Sequence, residues 1–142
     1  MSPPDSTRGA MLMTYGSPAT LDRADVGEYL ARIRGGRAAD DELLDEFTRR
    51  YAVIGGSPLI PITRAQASAL EAQLGWPAAA GMRFSEPSIS DALGVLAERG
   101  VTDVAAIILS PQYSPLLMGG YARAVEAARA EVGAGAPRVT IA

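Results

Sequence analysis

The sequence predicts an α/β domain in which helices flank a parallel β-sheet. Short apolar runs of strand character alternate along the chain with segments whose apolar residues recur at helical spacing. Strands alternating with helices in this way imply right-handed crossovers. The most apolar run, "DVAAIILS" (residues 103–110), shows no polar alternation, as expected of a strand covered on both faces. No internal repeat is present.

Residues 1–8 are polar and contain proline, and read as a flexible tail before a domain over 9–142. "GAMLMTY" (9–15) reads as a short buried strand. "DRADVGEYLARIR" (22–34) places Val26, Tyr29, Leu30 and Ile33 at helical spacing, with an Asp near its start and "GGR" ending it. A second helix over 40–54 is acidic at its front and basic near its back, as the helix dipole favours. "GGSPLIP" reads as a loop. Thr63 is the expected N-cap of "RAQASALEAQL", which Gly75 and Pro77 stop. "AAAGMRF" (78–84) is the second strand. Pro87 and Ser88 open a helix closed by Gly100, and the strand over 103–110 follows. "PQYSPLLMGG" reads as a loop and "YARAVEAARAEV" as a helix. "PRVTIA" begins another strand, inside which the chain stops, suggesting a fragment or half-protein.

The composition narrows the function. A chain of 142 residues has the size of one domain, and 48% apolar with 20% charged residues suits a globular chain in water. A net charge of -3 gives no nucleic-acid surface. All 13 basic residues are Arg, so every cation is a planar fork suited to carboxylate or phosphate. The absence of Cys excludes disulfides, thiolate nucleophiles and iron–sulfur ligands within this chain. The absence of His excludes a Ser-His-Asp triad, an HExxH site and the usual imidazole zinc site. "MSPPDSTRGA" lacks the apolar segment of a signal peptide. No run approaches the roughly 20 apolar residues that span a bilayer, so membrane contact is not indicated and a cytoplasmic location is expected.

Ligands of open parallel sheets bind beyond the carboxyl ends of the strands. Three loops follow predicted strands: "TYGSP", "RFSEP" and "SPQYSP". Each alone is equally consistent with turn chemistry; together they form a mouth. "IGGSPL" either exposes N–H groups to an anion or closes a helix and turns, the second being the commoner use. The Arg residues of "RIRGGR" and "TRRY" either clamp carboxylates or sit on solvated helix ends, the expected place for Arg32 and Arg49. Asp40, Asp41, Glu42, Asp45 and Glu46 read as a solvated helix face and not a metal site.

The order of these motifs is more specific than any one of them. Met13-Thr14-Tyr15-Gly16-Ser17-Pro18 is followed by Ile33-Arg34-Gly35-Gly36-Arg37, then by "RYAVIGGSPLIPIT", then by Gly81-Met82-Arg83 with Pro87, then by "PQYS". This series resembles the ferrochelatases, enzymes that insert ferrous iron into a porphyrin. It covers residues 9–142 and corresponds to the amino-terminal half of the family protein. The first motif is similar to that of the bacterial coproporphyrin III branch.

The resemblance implies a chelatase-like fold, one Rossmann-like half of a two-domain enzyme. It implies that Tyr15 faces the porphyrin iron as an axial ligand. Arg34, Arg50, Ser57 and Tyr121 match positions near the propionates. Ferrous iron is then a substrate, no cofactor is held tightly by this chain, and any iron–sulfur cluster lies in the carboxyl half. The implied partners are coproporphyrin III or a haem-type porphyrin and that carboxyl half, which carries the family's catalytic His and its Glu. The chain departs from the family in two places. Its Gly-Gly-Ser-Pro-Leu loop is one residue short, and Arg83-Phe84 stands where some relatives have Lys-His. Two other readings stay open: a truncated, non-catalytic porphyrin-binding domain, and a small homodimeric chelatase of the cobalamin or sirohaem type. The lack of His argues against the second.

Overall fold

A computed structural model describes residues 7–110 and 114–142. The elements run β1 (Arg8–Thr14), α1 (Arg23–Ile33), α2 (Asp41–Ala52), α3 (Leu59–Leu74), β2 (Ala78–Met82), α4 (Ile89–Glu98), β3 (Asp103–Ile108), α5 (Pro115–Val132) and β4 (Arg138–Ile141). All strand pairs are parallel, in the order β2-β1-β3-β4. The expected α/β architecture is therefore present, with five helices around a four-stranded sheet. Among the described residues, no helix is long and apolar enough to cross a membrane.

Side chains of β1 alternate between two cores, as the strand period requires. Met11 and Met13 face α4 and α5, where Leu93, Leu96, Tyr121 and Val125 close over them. Leu12 faces the other way, toward Ala67 and Ile60 of α3, with Ala80 and Met82 of β2 beside it. β1 is thus buried on both faces and paired at both edges. α1 and α2 pack on each other through Val26, Tyr29, Leu30 and Leu44.

Local chemistry sets the helix starts. Asp40 accepts from Leu43 N at 2.8 Å, and Ser88 and Asp91 form a reciprocal capping box. Two starts differ from the sequence expectation. α3 begins a turn before Thr63, with Pro61 tolerated in the first turn because its missing N–H would have no helical partner there. Thr63 is instead buried inside α3, donating back to Leu59 O at 2.8 Å and lying 3.3 Å from Thr14 Oγ1. α5 begins at Pro115, so most of the expected loop "PQYSPLLMGG" is helical. Ser114 accepts from Leu117 N at 3.0 Å, and Pro115 occupies the first helical position, a standard start.

The tail reading also changes at its boundary. Thr7 O accepts from Thr102 N and Asp103 N, and Arg8 is already in β1. Residues 1–6 lie outside the described residues.

Leu93 is fully buried, and Val95 on the same helix is half exposed. Leu93→Ala is expected to lower the unfolding free energy by about 2–5 kcal/mol. Val95→Ala should change it by about 0.5 kcal/mol or less. Urea denaturation of the two variants checks this order.

Candidate active-site cleft

The chain moves from β1 one way to β2, then back across β1 to β3 and β4. This reversal places the switch point between β1 and β3, where α/β sheets bind ligands. A cleft of about 880 Å³ opens there. Thr14 and Tyr15 from the end of β1, Arg83 and Phe84 after β2, and Leu109 and Ser110 after β3 line it, with α5 forming another wall.

Backbone hydrogen bonds continue past the strands. Arg83 N donates to Thr14 O at 2.9 Å and Phe84 N to Tyr15 O at 3.0 Å. They hold the Tyr15 and Phe84 rings side by side, edge to face, with centroids 5.0 Å apart. Tyr15 remains 39% exposed. The phenol expected at a strand exit is therefore at the cleft and not in a core.

The turn after Tyr15 is fixed from three sides. Gly16 has φ +99°, and a Cβ there would lie 1.9 Å from Ser85 Oγ. Ser17 N donates to Ser85 Oγ at 3.1 Å. The buried Tyr29 hydroxyl donates to Gly16 O at 3.1 Å. Burial holds the Tyr29 phenol well above its ordinary pKa, keeping it protonated and able to donate.

Tyr121 is 1% exposed, and its hydroxyl has no hydrogen-bond partner among the described residues although the residue lines the cleft. Burial pushes its phenol up to about 12, with the nearby Arg83 charge acting in the opposite sense. The Arg83 guanidinium lies 4.6 Å from the Phe84 ring centroid and 5.6 Å from that of Tyr121. It also rests on Gly120, where a Cβ would come within 2.3 Å of Arg83 Nη2.

The other resemblance-derived residues are placed differently. Arg34 donates to Ala38 O in the turn after α1, and Arg50 pairs with Glu46 at 2.7 Å with its side chain 72% exposed. Neither lines the cleft. Each guanidinium has an acceptor on its own segment. Arg49 is exposed and pairs with Glu46. Arg32 pairs with Glu28 and reaches Phe84 O at 3.4 Å, so it is not simply directed at solvent. Ser57 accepts from Leu59 N at 3.3 Å, next to a residue that lines the cleft. Pro111, Gln112 and Tyr113 of the third loop lie outside the described residues.

The acidic face of α2 is accounted for locally. Asp41 and Asp45 pair with Arg23, and Glu46 with Arg49 and Arg50. Among the described residues no group of His, Cys, Asp or Glu could hold a metal ion. Arg83 comes from "RFSEP", one of the loops expected at the mouth, whereas Arg123 was not expected at the cleft. Gly119 and Gly120, small residues inside a helix, each lie against one of these Arg side chains.

A parallel sheet with an aromatic- and Arg-lined cleft at its switch point defines an open α/β domain. The sequence matches the ferrochelatase family over residues 7–142. A ferrochelatase of Deinococcus radiodurans is 42% identical over 126 residues, covering 84% of this chain and 39% of that protein. Coproporphyrin III ferrochelatases of Halalkalibacterium halodurans and Geobacillus thermodenitrificans are 37% and 36% identical, covering 80% and 89% of this chain. These cover 38% and 42% of the relatives, so the chain spans about two-fifths of their length. The chain belongs to the ferrochelatase family.

Two outcomes follow from this geometry. Gly16→Ala is expected to cost about 1–3 kcal/mol through positive φ and the clash with Ser85, measured by chemical denaturation. Tyr121 ionises near the ordinary phenol value of 10.0 when unfolded and only at about 12 when folded. The unfolded chain therefore binds fewer protons above pH 10, so this contribution to stability is intact below about pH 10 and lost as pH rises toward about 12. Unfolding titrations across that range should show the decline, and Tyr121→Phe should reduce it.

Proposed function

We propose that this chain supplies one wall of a porphyrin cleft in an enzyme that inserts ferrous iron into coproporphyrin III for haem synthesis. The single observation that carries the reading is Tyr15, held partly exposed at the switch-point cleft. Membership of a family that includes coproporphyrin III ferrochelatases supports it. In this reading the phenol of Tyr15 approaches the iron from one porphyrin face. Phe84, edge-on to Tyr15, gives the macrocycle an apolar surface beside it. Tyr121 offers a hydroxyl to a carboxylate arm. Arg34, Arg50 and Ser57 are the further candidates for those arms, and Arg50 reaches one by leaving Glu46.

Metal insertion displaces the pyrrole N–H protons, so the site needs a proton acceptor. This chain has no His. We assign that base to a carboxyl-terminal half outside these 142 residues, together with the opposite wall of the cleft. Ferrous iron enters as substrate, and an iron–sulfur cluster, if the enzyme has one, is held outside this Cys-free chain. The lack of His also favours a second reading, a domain that binds porphyrin without chemistry.

Two experiments test the assignment. Tyr15→Phe should alter the visible spectrum of added ferric coproporphyrin III and weaken its binding; an unchanged spectrum removes Tyr15 from the iron. Anaerobic assay of ferrous insertion into coproporphyrin III should show the 142-residue chain at least 10²-fold slower than a full-length relative, about the contribution of one positioned base. Comparable turnover would refute the placement of that base elsewhere.

A further inference from the structure

One peptide group beside Tyr15 is gripped at both ends. The Gly16 carbonyl and the Ser17 N–H belong to the same peptide unit. The carbonyl accepts from the Tyr29 hydroxyl at 3.1 Å, and the N–H donates to Ser85 Oγ at 3.1 Å. On the other side, Thr14 O and Tyr15 O accept from Arg83 N and Phe84 N. The main chain is thus pinned before and after the Tyr15 side chain. The second pin is the one that side chains must supply. Gly16 sits at φ +99° with no Cβ to confine it, so an ungripped peptide there has other orientations open to it.

Tyr29 reaches this turn from α1. Its ring belongs to the core between α1 and α2, beside Val26, Leu30 and Leu44, and tilts against Phe47 with centroids 6.0 Å apart. A phenylalanine ring would fill the same space, so this packing does not need the hydroxyl. The hydroxyl instead leaves that core and bonds the turn after Tyr15. Phe84, which meets the Tyr15 ring edge to face, packs against the same α1–α2 cluster. Through Tyr29, α1 therefore touches both loops that carry the aromatic pair.

We propose that Tyr29 is a positioning residue for Tyr15: its hydroxyl, with Ser85 Oγ at the other end of the same peptide, fixes the turn that holds the Tyr15 phenol at the cleft. Among the described residues Tyr29 does not itself line that cleft. The proposal rests on the reading of Tyr15 as the group that approaches the porphyrin iron, and adds what keeps it there. A contact between a phenol and a metal tolerates little displacement, so a loosened turn is felt at the iron before it is felt in the overall grip on the macrocycle.

The test compares the unaltered chain, Tyr15→Phe and Tyr29→Phe, each titrated with ferric coproporphyrin III and with the metal-free porphyrin. Tyr29→Phe should remove most of the visible-spectrum difference that separates the unaltered chain from Tyr15→Phe. Its affinity for metal-free coproporphyrin III, which offers Tyr15 no iron, should stay within about twofold. A ferric spectrum identical to that of the unaltered chain overturns the proposal. So do equal losses with both porphyrins, the mark of a merely structural role. If the unaltered chain and Tyr15→Phe give the same spectrum, or bind no porphyrin, the iron reading fails. The positioning role is then read in the ligand-free chain, from the nuclear Overhauser effect between the Tyr15 and Phe84 rings. Its weakening in Tyr29→Phe supports the proposal, and its persistence at full strength overturns it. Ser85→Ala frees the N–H end of the same peptide and carries the same measurements if Tyr29→Phe does not fold.

Discussion

Every group in the cleft takes its position from the parallel pairing that β1 makes at both edges. β1 is in register with β2 from Ala10 to Thr14 and with β3 from Arg8 to Met13. Both faces are buried, so a slip of one residue would turn Met11 and Met13 toward α3 and Leu12 toward α4 and α5. The pairing cannot drift without disrupting two cores. It therefore fixes where β1 ends, and the bonds from Arg83 and Phe84 to Thr14 and Tyr15 carry that registration one step beyond the sheet. Tyr15 and Phe84 are neighbours because their strands are.

The second layer of control is at the periphery. Glu71 near the end of α3 accepts from both arms of Arg99 after α4, and from Ala78 N at the start of β2. The Arg99 fork holds its carboxyl below the usual carboxylate range. These charges are exposed, so their worth is small and salt-dependent. Their value is geometric: they join α3, β2 and α4 at the end of the sheet away from the cleft. The charges at the cleft have no such partners among the described residues. An exposed Arg is readily matched by a carboxylate one helical turn away, as Arg32 is by Glu28 and Arg50 by Glu46. Arg83 follows β2 on a non-helical segment with Thr14 and Tyr15 alongside, so no local carboxylate reaches it.

Much of this was legible in the sequence. The apolar runs and helical periods specify the alternation of elements, and an apolar run that ends at Tyr15 before Gly-Ser-Pro puts that residue at a strand exit; its presentation to a ligand is what the family resemblance implies. The errors have physical causes. Thr63 reads as a cap because its hydroxyl suits one, yet that hydroxyl bonds backward to Leu59 O inside the helix. The local contacts of Arg34 and Arg50 are not legible in the sequence either. Their acceptors, Ala38 O and Glu46, become visible only when the turn after α1 and the face of α2 are drawn. Arg83 has the opposite problem, since the lack of a partner is a property of the fold and leaves no mark on a sequence.

The start of α5 shows why the two kinds of error are related. Gly119 and Gly120 suggest a loop because glycine costs a helix interior about 1 kcal/mol relative to alanine. The helix nevertheless runs through both, started by Ser114 and Pro115 and held by Tyr121, Val125 and Ala128 in the core. Alanine at position 120 would suit the helix better, but its Cβ would occupy the seat of the Arg83 guanidinium. Local preference gives way at the position where a helix wall meets the cleft cation. Such a conflict is most often retained where a site needs it. The residue that obscured the helix in the sequence is thus the one that makes room for the Arg83 guanidinium.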